Sequence, residues 1–346
     1  MHRFPSASAL IGAQKPDQPV IGLRPHAAGR AARWFLENFP GDVAYAYKAN
    51  SSVFLLGALY GAGIRHFDVA SIPEIEDAAT IPGATGKILV LAHGLCMNDL
   101  LWRRKGHDHG AALAVDAGFT PVYLHYNSGL HVSTNGHEFA GKLEMLLRAW
   151  PVPVDELVLL GHSMGGLVAR SACHYAALAR HAWPRHLRKI IFLGTPHHGA
   201  PLERGGNWID AVLDASPYTT AFARLGKIRS AGITDLRHGS MVDEDWDHQD
   251  RFARSRHKPC ALPLPANVDC CTIAASIAKK SGDLAERLLG DGLVPLASAL
   301  GKHKDPGRQL AFPKDRQWIG YGMNHLDLLD RKEVYAQIRR WLGESR

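Results

Sequence analysis

The chain has 346 residues, 46% of them hydrophobic and 21% charged, with a formal net charge of +7. That is enough apolar sequence for one large or two smaller packed domains, which excludes disorder as the governing state. No run reaches the roughly 18 apolar residues of a membrane span, and MHRFPSASALIGAQKPDQPV has no continuous apolar core behind Arg3, so neither an integral membrane segment nor an export signal is read there.

Residues 1–80 differ in texture from the rest of the chain. Seven basic residues there balance seven acidic ones, so the whole excess of +7 belongs to the remainder. The stretch holds two short strand-like runs, VAYAY and HFDVA, and ends at IPGATGK, where Pro82, Gly83 and Gly86 punctuate a seam. Beyond the seam come apolar runs at 87–92, 120–125, 156–160, 189–193 and 268–274, with a weaker one at 316–319. Between the second and third, Phe139, Leu143, Leu146 and Leu147 recur at helical spacing behind Asn135 as a candidate cap, and Val334, Ile338 and Leu342 repeat that spacing near the end. Strands apolar on both faces, alternating with amphipathic helices, predict a mainly parallel, doubly wound α/β sheet covered on both sides. Residues 197–267 contain no comparable strand and read as a helical cap, in which Trp208, Ile209, Val212, Leu213, Tyr218 and Phe222 serve packing first and an acyl pocket second.

Within VLLGHSMGGLVA, Ser163 follows a predicted strand and opens a helix, the context in which Gly161-His162-Ser163-Met164-Gly165 reads as a nucleophile elbow. A serine hydroxyl needs a base, and the base an orienting acid. On successive strand-end loops these are His325 in GMNH and Asp291 in GDGLVP. Rivals rank lower by position: Asp283 on a predicted helix, Asp327 too close to His325, His303 in a charged loop, and His174 on the helix after the serine. Two backbone N–H groups must meet the oxyanion; Met164 supplies one and Leu95, after His93-Gly94, the other.

Other chemistry is weighed on the same terms. Adjacent His197 and His198 rarely point at one metal ion. The acidic MVDEDWDHQD lacks the sharp-turn glycine of a calcium loop, and the twelfth position from Asp243 is Arg254. The basic RHAWPRHLRK reads as a solvated helix end and not as a nucleic-acid site. Cys96, Cys173, Cys260, Cys270 and Cys271, odd in number and mostly in apolar settings, read as reduced thiols, which places the expected location in the cytoplasm.

HGL, GHSMGG, GTPHHG, GDGLVP and GMNH, in this order across residues 87–346, resemble the serine esterases and lipases of the α/β-hydrolase fold. The resemblance implies an acyl-ester hydrolase with Ser163, Asp291 and His325 as its triad, the Leu95 and Met164 amides as its oxyanion hole, and no cofactor. A small-molecule or lipid ester is the implied substrate. Before the seam, AYAYKANSS and HFDVASIPEIEDA resemble the opening of the barrel domain of pyridoxal-phosphate-dependent ornithine/diaminopimelate-type decarboxylases, which implies a cofactor lysine at Lys48. Only about 80 residues carry that likeness, far short of the roughly 250 of a closed barrel. The expected organisation is therefore an incomplete decarboxylase-like piece over 1–80 and a hydrolase domain over 81–346, with a remnant without activity or a silent hydrolase-fold interaction protein as alternatives.

Overall fold

The computed structural model describes residues 7–15, 25–41, 43–50, 52–69, 84–200, 230–246, 259–279 and 290–343. The chain divides into two units, Met1–Ala84 with Ala149–Pro151, and Thr85–Arg148 with Val152–Arg346.

In the first unit, α1 (Ala7–Gln14), α2 (Pro25–Asn38) and α3 (Val53–Gly61) accompany β1 (Ala44–Ala46) and β2 (His66–Asp68). The two strand-like runs seen in the sequence pair with each other in parallel, Tyr45 opposite Phe67, in a two-stranded sheet of their own. Ala32 of α2 packs on Leu59 and Ile64, so a small residue lets α2 and α3 approach closely over a modest apolar cluster. Lys48 lies exposed on a single turn of 3₁₀ helix, Tyr47–Ala49.

The second unit is built on six parallel strands: β3 (Lys87–Ala92), β4 (Thr120–Leu124), β5 (Glu156–His162), β6 (Leu187–Leu193), β7 (Asp269–Ser276) and β8 (Gln317–Tyr321). Their order across the sheet is β4-β3-β5-β6-β7-β8. Every strand run expected beyond the seam is present. Between them run α4 (His109–Ala117), α5 (Val132–Ala149), α6 (Met164–Leu178), α7 (Ala231–His238) and α8 (Leu296–Ala299), and α9 (Lys332–Gly343) follows the last strand. The cap residues 201–229 and 247–258, with Trp208, Ile209, Val212, Leu213, Tyr218 and Phe222, lie outside the described residues, as do Asp283 and residues 81–83 of the seam.

Both faces of the central strands are buried, which explains their continuous apolar character. Leu89, Leu91, Val158, Leu160, Ile191, Leu193 and Ile273 join Val334, Ile338 and Trp341 of α9 in one core cluster. Each such side chain contributes about 1.5–3 kcal/mol on full burial. The order matters more than the strength. The chain passes from β3 outward to β4 and then back across to β5, so the crossovers diverge between β3 and β5. In open α/β sheets a crevice forms at the carboxyl ends of such a strand pair. Here those ends lie side by side, Ala92 opposite Gly161, immediately before His93-Gly94-Leu95 and His162-Ser163.

Two local expectations are corrected. Helix α5 starts at Val132, and its first N–H donates 2.8 Å to the carboxylate of Asp235 on α7, so a distant side chain does the capping. Asn135 is buried inside the helix, where its amide donates to the carbonyls of Asn127 and His131. In the basic stretch 180–189, Trp183 and Lys189 are buried, and the Lys189 ammonium donates to the Trp341 carbonyl; the solvated character belongs to Arg180, Arg185 and Arg188.

Candidate active site

Ser163 sits between the end of β5 and the first residue of α6, with φ 53° and ψ −121°, a backbone region that non-glycine residues occupy at a cost of about 1–3 kcal/mol. Its own N–H donates 2.8 Å to the Leu193 carbonyl at the end of β6, which holds the turn against that strain. Two glycines leave it room. A Cβ on Gly161 would lie 2.6 Å from the Gly166 Cα, and one on Gly165 would collide with the carbonyl oxygen of Ala92. The elbow is thereby wedged against the end of β3.

The loop after β3 closes one side of the serine. A Cβ on Gly94 would stand 3.0 Å from His162 Nδ1 and 3.2 Å from the Cβ of Ser163, so a larger residue would crowd the approach. His93 is fully buried, donates from Nδ1 to the Gly94 carbonyl at 2.9 Å, and stacks on Tyr126 at 4.2 Å, while the Tyr126 hydroxyl donates to the His93 carbonyl at 2.6 Å. Burial takes the His93 pKa down to about 4, which keeps the ring neutral and able to stack. Cys96, at φ 56°, donates its N–H to Ser128 Oγ. The Leu95 N–H has no acceptor among the described residues. Met164 opens α6, so its N–H is one of the first-turn donors that a helix cannot satisfy internally.

On the other side lie the two residues expected as acid and base. Asp291 stands between two positive-φ glycines, Gly290 and Gly292, in the loop before α8. One carboxylate oxygen accepts the N–H groups of Leu293 and Val294 at 2.9 and 2.8 Å; the other accepts Nδ1–H of His325 at 2.6 Å. Both residues are almost fully buried. The segment carrying His325 is tied to the end of β7 by Met323 N–H to the Ser276 carbonyl and Gly322 N–H to that of Ala278. The His325 ring packs between His162, ring centres 4.7 Å apart, and Gly194, whose Cβ, if present, would meet it at 2.9 Å. His162 immediately precedes Ser163 in the chain, so its ring stands beside the elbow.

The rival residues are engaged elsewhere. Asp327 pairs with Lys105 and Arg331 and accepts the Asn324 N–H. His303 accepts the Asp305 N–H and lies near the His198 ring, and His174 packs edge-on to Tyr175. His197 faces the Arg170 guanidinium while His198 bonds the Gly301 carbonyl. In the acidic stretch, Asp243 pairs with His137 and Asp245 accepts the N–H groups of Met241, Val242 and Cys260; Asp247 and Asp250 lie outside the described residues. All five cysteines are free. Among the described residues no helix is long and apolar enough to cross a membrane.

Sequence reasoning passed over His162 as a neighbour of the base, although it fills the variable position of the elbow motif. It also passed over His109, which carries no motif. No pattern placed Asp235 at the start of α5.

A family model described as a PGAP1-like alpha/beta domain matches residues 142–264, from within α5 through the elbow and into the insertion. The chain has the α/β-hydrolase fold. Among solved structures it is similar to lipase B of Aspergillus fumigatus, at 14% identity and TM-score 0.48 over 80% of this chain and 58% of that one. It is also similar to a metagenomic carboxyl esterase, at 16% and 0.43 over 97% and 98%, and to the RedJ thioesterase of the prodiginine pathway of Streptomyces coelicolor, at 15% and 0.40 over 76% and 92%. No curated protein matches the chain. Identities and scores this low say nothing of activity, so the hydrolase-fold site must be argued from its own geometry. Nothing in the comparisons supports the decarboxylase resemblance of the first 80 residues, and exposed Lys48 lies on the 3₁₀ turn after β1, whose sheet has two strands among the described residues.

Proposed function

We propose that the protein is a serine hydrolase that cleaves carboxylic esters through an acyl-enzyme on Ser163. The observation that carries this reading is the buried 2.6 Å bond from His325 Nδ1 to Asp291, beside a positive-φ serine at the head of a helix. With Nδ1–H committed to the carboxylate, Nε2 of His325 is the nitrogen left to take a proton.

His325 Nε2 removes the Ser163 hydroxyl proton as Oγ bonds to the ester carbonyl carbon, and the carbonyl electrons move onto oxygen. The Leu95 and Met164 N–H groups stabilise that oxyanion. When it collapses, the carbon–oxygen bond to the alcohol breaks and His325 returns the proton to the leaving oxygen. Water then repeats the sequence on the acyl-enzyme and frees the acid and the serine. Asp291 keeps the imidazole tautomer and offsets the imidazolium charge.

The test is hydrolysis of p-nitrophenyl esters from acetate to palmitate by the protein and its Ser163→Ala variant. Loss of about 10⁶-fold in kcat with the fold intact is the expected result. A folded protein that neither turns over any ester nor is labelled by a fluorophosphonate would favour a silent hydrolase-fold scaffold. Preference for short or long acyl chains separates an esterase from a lipase.

A further inference from the structure

His325 is carried by a turn of only five residues, His325–Leu329, in 3₁₀ geometry. Its N-terminal end is self-capped: Asn324 Oδ1 accepts the N–H groups of Leu326 and Asp327, and Asp327 accepts the Asn324 N–H in return. So short a turn has little rigidity of its own, because its hydrogen bonds are few and poorly aligned. A general base, by contrast, has to be held within about 0.5 Å of its working position.

Two buried histidines reach this turn from other parts of the unit. His109, at the start of α4, meets the Leu328 carbonyl through Nε2 at 2.9 Å. His162, at the end of β5, meets the His325 carbonyl through Nε2 at 3.3 Å. A carbonyl only accepts, so both contacting nitrogens carry the proton. For His109 the other nitrogen then accepts, and His107 Nε2 stands 2.9 Å from it as the donor. Tyr335 of α9 stacks on the His109 ring at 6.0 Å with planes 6° apart. Beneath the same turn, Arg104 and Lys105 pair with Asp330, and Lys105 also with Asp327. Burial lowers the pKa of His109 to about 4 and that of His162 well below the usual range, which leaves both rings neutral donors. His162 Nδ1 has no partner among the described residues, a cost that a residue present only for packing would not need to carry.

We propose that His109 and His162 are positioning residues which clamp the two ends of the His325 turn through donated hydrogen bonds, and so fix the base against Asp291 and Ser163. This rests on the serine-hydrolase reading, and neither ring touches substrate.

The experiment compares His109→Leu, which keeps apolar bulk but donates nothing, with His109→Gln, whose amide N–H reaches a similar point. The readouts are kcat and KM on the best p-nitrophenyl ester and the low-field proton resonance of the His325–Asp291 hydrogen bond, assigned by its loss in His325→Gln. The leucine variant is expected to lose about 100-fold in kcat with KM little changed, the scale of a misplaced catalytic group, and its low-field resonance to broaden or vanish. The glutamine variant is expected to recover most of both. If the leucine variant does not fold, the same pair at His162 decides, since its bond meets the other end of the turn. A folded leucine variant with native kcat and resonance overturns the clamp, and so does a glutamine variant as impaired as the leucine one. Should the unmodified protein neither hydrolyse esters nor react with a fluorophosphonate, the serine-hydrolase reading fails, while the resonance still reports on the clamp.

Discussion

Ser163 and His325 follow β5 and β8, two strands separated in the sheet by β6 and β7, and they are held by interactions of opposite range. The elbow is local: five consecutive residues, two of them glycines with no room for a Cβ, turn from β5 into α6 and rest on the backbone of β3. The His325 turn is assembled from afar, with Asp291 before α8, His109 and Lys105 from the β3–β4 connection, and His162 from β5 all bonded to it or to its flanks. Each half of such a site is therefore vulnerable in its own way. Sterics govern the serine, and hydrogen-bond donors and acceptors govern the histidine.

Substitutions can test that contrast from either side. After Ser163→Ala, the largest effect is expected at Asp291→Asn, which preserves shape and the bonds from Leu293 and Val294 but favours the wrong His325 tautomer. Steady-state kinetics should show kcat reduced about 10⁴-fold with the melting temperature little changed. Gly165→Ala tests the steric half, because its Cβ has no place beside the Ala92 carbonyl. A loss of about 4 kcal/mol or more in denaturant unfolding is expected, since either the elbow or β3 must move.

Acid should act through the buried imidazoles. His93 and His109 stay neutral in the folded protein down to about pH 4, whereas in the unfolded chain they bind protons from about pH 6.5. The unfolded state therefore holds more protons between those limits, and falling pH favours it. From about pH 7.5 to about pH 5.5 the two together are expected to remove about 3 kcal/mol, and urea titrations of the protein and a His109→Gln variant should show the slope reduced in the variant. The smallest effect is expected at Lys105→Ala. Its side chain is 62% exposed, and Arg104 still pairs with Asp330 when it is gone, so less than about 1 kcal/mol should be lost and kcat should hold. A large kcat loss there would mean that charge, and not the histidine donors, holds the turn.

Much of the fold is legible in the residues alone. The six strands are visible because strands buried on both faces must be apolar throughout, and the elbow because its glycines answer a purely local crowding. That Asp291 and His325 meet is foreshadowed by their positions, since strand-end loops collect at one edge of a parallel sheet. The features that escape are long in range. Asp235 reaches the first N–H of α5 from roughly a hundred residues away, and Asn135, which looks like a cap in isolation, is drawn inside the helix.

The strand and helix pattern, the sharp turn at Ser163 and the placement of Asp291 and His325 on later loops are thus written in the sequence, because each depends on residues close together or on the alternation of elements. Folding had to settle the strand order that sets β3 beside β5 at a crossover divergence, the pairing of β1 with β2, and the attachment of the His325 turn to His109 and His162. Those depend on which distant donors meet which carbonyls once the sheet has closed around its core, and no local pattern encodes that meeting.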